Sequence, residues 1–208
     1  MKLVKICGLA REEDVEIAVL SGADLAGFVF AESPRRVTPE KAARLRRLLE
    51  GTAARAVGVF CGEEPARIRE IAEEVGLDLV QLHGHGEPPP DAIGLPVIRA
   101  VRVAPGRIEP FPAGGGAAYY LLDTHDPRRA GGTGRPFDWE EASRLPLPRP
   151  FLLAGGLRPE TVARAIEILD PDGVDVASGV ERSPGVKDAD QVRRFIAAAR
   201  AAWEKGRA

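Results

Sequence analysis

Eight short apolar runs punctuate this chain, each ended by glycine, serine or a polar residue, and patterns with helical spacing fill most of the gaps between them. The runs are 2–7 (KLVKIC), 24–30 (DLAGFVF), 54–60 (ARAVGVF), 77–84 (LDLVQLHG), 96–103 (PVIRAVRV), 118–124 (AYYLLDT), 150–156 (PFLLAGG) and 173–179 (GVDVASG). Near-continuous apolar character of this kind belongs to strands covered on both faces. Strands alternating with helices call for a parallel sheet joined by right-handed crossovers. Eight such strands at roughly 20–30-residue spacing favour an α/β closed barrel, the (β/α)8 TIM barrel, over an open sheet.

The helical patterns cover 11–22, 38–50, 65–76, 138–145, 158–169 and 188–206. Thr38 is placed to cap the second, with Pro39 at its first helical position, and Pro65 opens the third. Two connections are thin. HGEPPPDAIG leaves room for barely a turn between strands 4 and 5, and the prolines and glycines of APGRIEPFPAGGG oppose a long helix. Reduced fourth and fifth βα connections account for a chain of 208 residues, short for this fold, and residues 1–208 are expected to form one domain.

Composition narrows the function classes. A net charge of −2 gives no basic footprint for nucleic acid, and no run approaches the length of a membrane span. Lys5 and the REED segment break up any leader-like apolar stretch. With only two cysteines, Cys7 and Cys61, a disulfide framework is not expected, and the setting reads as cytoplasmic. Twenty-four arginines against five lysines, no asparagine, two glutamines and eighteen prolines fit a thermophile with a GC-rich genome.

In a barrel of this type the chemistry lies at the C-terminal ends of the strands. Glycine-rich stretches stand there after strands 6, 7 and 8: GGTG (Gly132, Thr133, Gly134), AGGL (Gly155, Gly156) and ASGVE (Ser178, Gly179). Bare backbone N–H groups at adjacent strand ends suit a phosphate, so a phosphosugar is the expected small-molecule partner. Cys7 ends strand 1 and Asp123 ends strand 6, so their side chains can face each other across the mouth as a base and an acid. Taken alone, Cys7 reads as packing, since a buried cysteine behaves as a small hydrophobe. Arg35 and Arg36 in SPRRV can grip a substrate carboxylate by a two-pronged hydrogen-bond pair. His83 is a candidate substrate contact. With His85 it lacks an evident third ligand, so no metal site is expected. Cys61 reads as structural, and Trp139 and Trp203 as helix–barrel packing.

With these residues in place the chain resembles the phosphoribosylanthranilate isomerase family. The likeness runs in order through KICGL, GADLAGFVF, SPRRV, VGVF, VQLHG, LLDT, GGTGRPFDW, LAGGL, DVASGVE and PGVKD. It departs in a shortened loop before SPRRV and in the proline-rich stretch after LHGHG. The resemblance implies an Amadori rearrangement of N-(5-phosphoribosyl)anthranilate to 1-(2-carboxyphenylamino)-1-deoxyribulose 5-phosphate in tryptophan biosynthesis, with no cofactor. Carried over residue by residue, Asp123 is the general acid at the furanose oxygen and Cys7, as thiolate, removes the C2 proton. Arg35, with Arg36 as the alternative, holds the anthranilate carboxylate, and the glycine loops with Ser178 hold the phosphate.

Two other readings compete. A lysine-dependent barrel, such as indoleglycerol-phosphate synthase or a Schiff-base aldolase, needs a lysine at the reaction centre. Only Lys5 lies within a strand, on the face of Cys7 but deeper. A catalytically silent sugar-phosphate sensor would not need both Cys7 and Asp123. Exposed barrel faces leave room for a homodimer.

Overall fold

The computed structural model describes residues 2–84, 87–104, 107–108, 116–123 and 139–206. Eight parallel strands close a barrel: β1 (Leu3–Cys7), β2 (Leu25–Val29), β3 (Arg55–Cys61), β4 (Leu79–His83), β5 (Val97–Ala104), β7 (Tyr119–Asp123), β8 (Phe151–Ala154) and β9 (Gly173–Val176). Around the ring the order is β4-β3-β2-β1-β9-β8-β7-β5, and a β4–β5 pairing completes it. The α/β barrel expected from the eight apolar runs is the observed fold.

Period-two alternation gives every strand two buried faces. Outward residues such as Val4, Ile6, Phe28, Phe60, Leu82, Phe151 and Val174 pack with helix residues in one core. Inward residues Leu3, Leu25, Val57, Leu79, Ile98, Leu121 and Leu152 form a second, separate cluster inside the barrel. Further along the strands the interior changes character, because Lys5, Gln81 and Asp175 are buried there.

The surrounding helices are α1 (Glu12–Leu20), α2 (Pro39–Arg46), α3 (Pro65–Val75), α4 (Trp139–Ala142), α5 (Val162–Leu169) and α6 (Ala189–Lys205). Thr38 caps α2 by accepting from the Lys41 N–H at 3.3 Å, and proline opens both α2 and α3. Trp203 is buried, and Trp139 packs partly buried against the same core.

The thin connections are as expected in part. After β4 there is a single 3₁₀ turn, Pro90–Ala92. After β5 the chain doubles back in a two-residue antiparallel strand, β6 (Arg107–Ile108), which no periodicity announced. The eighth run is also shorter than expected, because strand geometry stops at Val176. A 3₁₀ turn (Ser178–Val180) and a small hairpin, β10 (Glu181–Ser183) with β11 (Val186–Lys187), follow it. Among the described residues no helix is long and apolar enough to cross a membrane.

Candidate active site

Strand periodicity places the site. On β1, Leu3, Lys5 and Cys7 share the inward face, from the N-terminal end of the barrel to its C-terminal mouth. Cys7 is buried at 7 % exposure in a small cluster with Val29 and Val59, against Ala31 and Ala177. It is a free thiol, as is Cys61. Beneath it Lys5 is fully buried and its Nζ donates to Asp175 Oδ1 of β9 at 3.0 Å. Burial pushes the Cys7 thiol up, the Lys5 ammonium pulls it back, and Asp175 pushes it up further. Burial works against the Lys5 ammonium as well, but Asp175 and Cys7 hold it above the ordinary lysine range.

At the chain turn after β1, Gly8 has φ +74°, and a Cβ there would stand 2.4 Å from Arg35 Cδ. The glycine therefore makes room for the Arg35 stem to lie across the end of β1. Arg35 Nε and Nη2 donate to Glu181 Oε1 and Oε2 at 2.7 and 2.6 Å, a two-pronged pair. Lys187 Nζ donates to the same Oε1 at 2.9 Å and to the Ala177 carbonyl at 3.0 Å. Burial opposes ionisation of Glu181, but the hydrogen bonds from Arg35 and Lys187 hold its carboxyl below the usual range. Arg36, by contrast, is exposed; its backbone N–H donates to the Ser33 carbonyl at 3.1 Å and it forms an isolated bridge with Val29.

His83 ends β4 with its Nε2 at 2.5 Å from Gln81 Nε2. Burial lowers its basicity, against the attraction of Asp123, so the ring favours its neutral form. Asp123 is half-buried at the end of β7, three strands round the ring from Cys7 through β9 and β8. Its Cα pairs with that of Ala154 on β8. Beyond Ala154, Gly155 and Gly156 have φ of +85° and +71°. The next loop comes close: a Cβ on Gly179 would stand 1.8 Å from the Leu157 carbonyl oxygen, so only glycine fits where the β8 and β9 loops meet. Ser178 beside it is exposed.

Structure thus brings Cys7, Arg35, His83, Asp123, Gly155, Gly156, Ser178 and Gly179 to strand ends on one face of the barrel. Gly132, Thr133, Gly134 and His85 lie outside the described residues. Cys61, expected to be structural, is exposed on that rim at the end of β3. Four polar residues escaped sequence reasoning as members of the site: Asp175, Glu181, Lys187 and Gln81. Asp175 had a signal, a carboxylate in the middle of the apolar run GVDVAS. Glu181 and Lys187 lie within the stretches ASGVE and PGVKD, but they belong to a hairpin too short for any period, so nothing showed that their side chains turn toward the site.

A closed parallel barrel with titratable side chains gathered at its C-terminal face defines the class, a (β/α)8-barrel enzyme. Within that class, the family model described as N-(5'phosphoribosyl)anthranilate (PRA) isomerase matches residues 4–198, and the chain belongs to that family. A curated N-(5'-phosphoribosyl)anthranilate isomerase of Rubrobacter xylanophilus is 44% identical over 211 residues, covering 96% of this chain and all of that protein. Among solved structures, a phosphoribosyl anthranilate isomerase in complex with reduced 1-(o-carboxyphenylamino)-1-deoxyribulose 5-phosphate is 36% identical. It covers 97% of this chain and 100% of its own, with a TM-score of 0.75. A dimeric phosphoribosylanthranilate isomerase from Thermotoga maritima, solved as mutually generated monomers, is 38% identical with the same coverage and a TM-score of 0.77.

Proposed function

We propose that this chain carries out its family's isomerisation by acid–base catalysis between Asp123 and Cys7. The substrate is N-(5-phosphoribosyl)anthranilate and the product 1-(2-carboxyphenylamino)-1-deoxyribulose 5-phosphate. The observation that carries the residue assignment is the pairing of a half-buried carboxyl on β7 with a buried, cation-backed thiol on β1 at the same end of the barrel.

Asp123 donates its proton to the furanose ring oxygen. The C1–O bond breaks, and the anthranilate nitrogen lone pair forms an iminium at C1. The Cys7 thiolate takes the C2 proton, and that C–H electron pair becomes the C1=C2 bond of an enolamine. Protonation at C1 and loss of the C2 hydroxyl proton give the ketone, and Asp123 and Cys7 return to their starting states. No net proton or electron is consumed, so the step calls for no cofactor. Burial favours the neutral thiol, while the Lys5 ammonium favours the thiolate, and the positive charge of the iminium adds to the Lys5 effect as the C2 proton is taken.

Arg35 meets the anthranilate carboxylate through the guanidinium edge that Glu181 does not take. Neutral His83 contacts the substrate as a hydrogen-bonding ring. Gly155, Gly156, Ser178 and Gly179, with Gly132, Thr133 and Gly134, cradle the phosphate. The left-handed glycine pair and the tight Gly179–Leu157 approach support this reading. A Schiff-base role for Lys5 is disfavoured, because that chemistry needs a neutral amine and Asp175 holds this one charged.

We place the enzyme in the cytoplasm of a thermophile, as one barrel domain acting on a free phosphosugar. A homodimer, as for the Thermotoga maritima relative, is supported by Leu20, a large apolar side chain 83% exposed at the end of α1. The test of the catalytic assignment is turnover, followed by loss of the substrate's fluorescence. Cys7→Ser and Asp123→Asn should each lower kcat about 10²–10⁴-fold, and near-normal turnover by Asp123→Asn would refute its role as acid.

A further inference from the structure

Lys5 and Asp175 are spent on no step of the chemistry above, yet both are buried inside the barrel, where charge is costly to desolvate. A fully buried ammonium and a carboxylate with 9% side-chain exposure, 3.0 Å apart, fill the interior between the apolar layer and Cys7. Apolar residues of similar volume usually stabilise a core at least as well as such a pair. A retained buried ion pair therefore invites a reason other than stability.

Geometry supplies one. Gly27 on the neighbouring strand has its Cα level with Cys7. A Cβ on Gly27 would stand 3.0 Å from Cys7 Sγ and 3.2 Å from Lys5 Nζ. Thiol and ammonium thus converge on the one space that the missing side chain leaves open, and the nearby Lys5 charge favours the Cys7 thiolate. Lys5 carries three N–H donors, so it can serve Asp175 and the sulfur together.

We propose that Lys5 is a positioning residue for the isomerisation: it aims an N–H at Cys7 and stabilises the thiolate, while Asp175 competes for the same ammonium and sets how much of its charge the sulfur receives. The proposal rests on the reading of Cys7 as base. Proton removal from C2 leaves Cys7 as a neutral thiol, and its reionisation returns the negative charge to a site already facing the Lys5 cation. Charged groups from other elements share this environment. They are Arg35 from the loop after β2 and Lys187 and Glu181 from the hairpin. Asp123 and His83 stand on β7 and β4. None is so placed beneath the sulfur on its own strand.

The test reads the thiolate directly, by its ultraviolet absorbance as pH is raised, in the full-length chain carrying Cys61→Ser so that Cys7 is the one thiol. Lys5→Met/Asp175→Asn removes both charges and leaves no buried ion alone. It should move the titration midpoint up by about one to three pH units. Asp175→Asn alone leaves the ammonium to the sulfur and should move the midpoint down. Opposite shifts support the proposal, whereas equal shifts of one sign, or none, overturn it, since a purely structural pair would respond alike to both disruptions. In the double variant KM for the substrate should stay within about twofold while kcat falls with the thiolate fraction; an unchanged kcat also overturns it. Failure of the base reading looks different: Cys7→Ser would then keep its turnover even where both thiol shifts are seen.

Discussion

At the N-terminal ends of the strands, Asp24, Asp78 and Asp172 each accept a backbone N–H from a neighbouring strand, those of Val4, Ala56 and Phe151, at 2.6, 2.7 and 3.0 Å. Toward the C-terminal ends, Asp175 and Glu181 accept from the fully buried ammonium groups of Lys5 and Lys187 and from Arg35, whereas the arginines that Asp24 and Asp172 also meet, Arg200 and Arg149, are partly exposed or exposed. The first group stitches each αβ loop back to the start of the preceding strand, a local satisfaction of N–H groups at strand starts that recurs at three places round the ring. The second holds mobile charge in place near Cys7. Acidic side chains therefore stabilise the barrel at one end and, in the role we propose, tune reactivity at the other. The apolar layer of Leu3, Leu25, Val57, Leu79, Ile98, Leu121 and Leu152 separates the two.

The comparison is open to direct attack. Glu181→Gln should have the largest cost, about 3–5 kcal/mol at neutral pH, because Lys187 and Arg35 lose their partner in a site only 4% exposed. Glu181 has a folded pKa below its ordinary value. Its stabilisation is therefore complete above that ordinary value and is lost as pH falls through the folded one. Urea unfolding should show wild type and variant converging in acid; a constant gap down to low pH would show that Glu181 acts through shape alone. Asp78→Ala should cost less, about 1.5–3 kcal/mol for one charge-assisted bond, and should leave kcat of the folded protein unchanged. A loss of kcat at constant Tm would erase the contrast between the two ends. Cys61→Ser should have the smallest effect, within about 0.5 kcal/mol and with normal turnover. Cys61 shares the rim with Cys7 and lacks the buried cation, so a large effect there would mean that rim position alone confers function.

How legible this was in the sequence follows from range. Each strand carries its own evidence, since burial on both faces writes an apolar run, and helices α2 and α3 announce themselves by a threonine cap or an opening proline. The strand ends that bear Cys7, His83 and Asp123, and the loop after β2 that bears Arg35, could be counted for the same reason. Partners could not. Lys5 and Asp175 are 170 residues apart, and Arg35 and Glu181 146. Alternation says that Lys5 faces inward with Cys7 but not which strand closes the ring beside it. Arg35 shows the same limit: its residue type suits a carboxylate, and sequence pointed to the substrate's, while the fold first supplies Glu181. A glycine after the first apolar run suits a turn, but the task of Gly8 in admitting the Arg35 stem depends on a loop more than twenty residues away.

The most direct test of the account is a paired measurement on Cys7→Ser, its thermal midpoint and its kcat on N-(5-phosphoribosyl)anthranilate. Replacing the buried thiol by a hydroxyl should lower stability by no more than about 1–3 kcal/mol. The account predicts a variant that remains folded at the assay temperature with kcat lowered at least about 10²-fold. A variant that turns over at near wild-type rate would contradict it, and Cys7 would return to being a packing residue at the end of a strand.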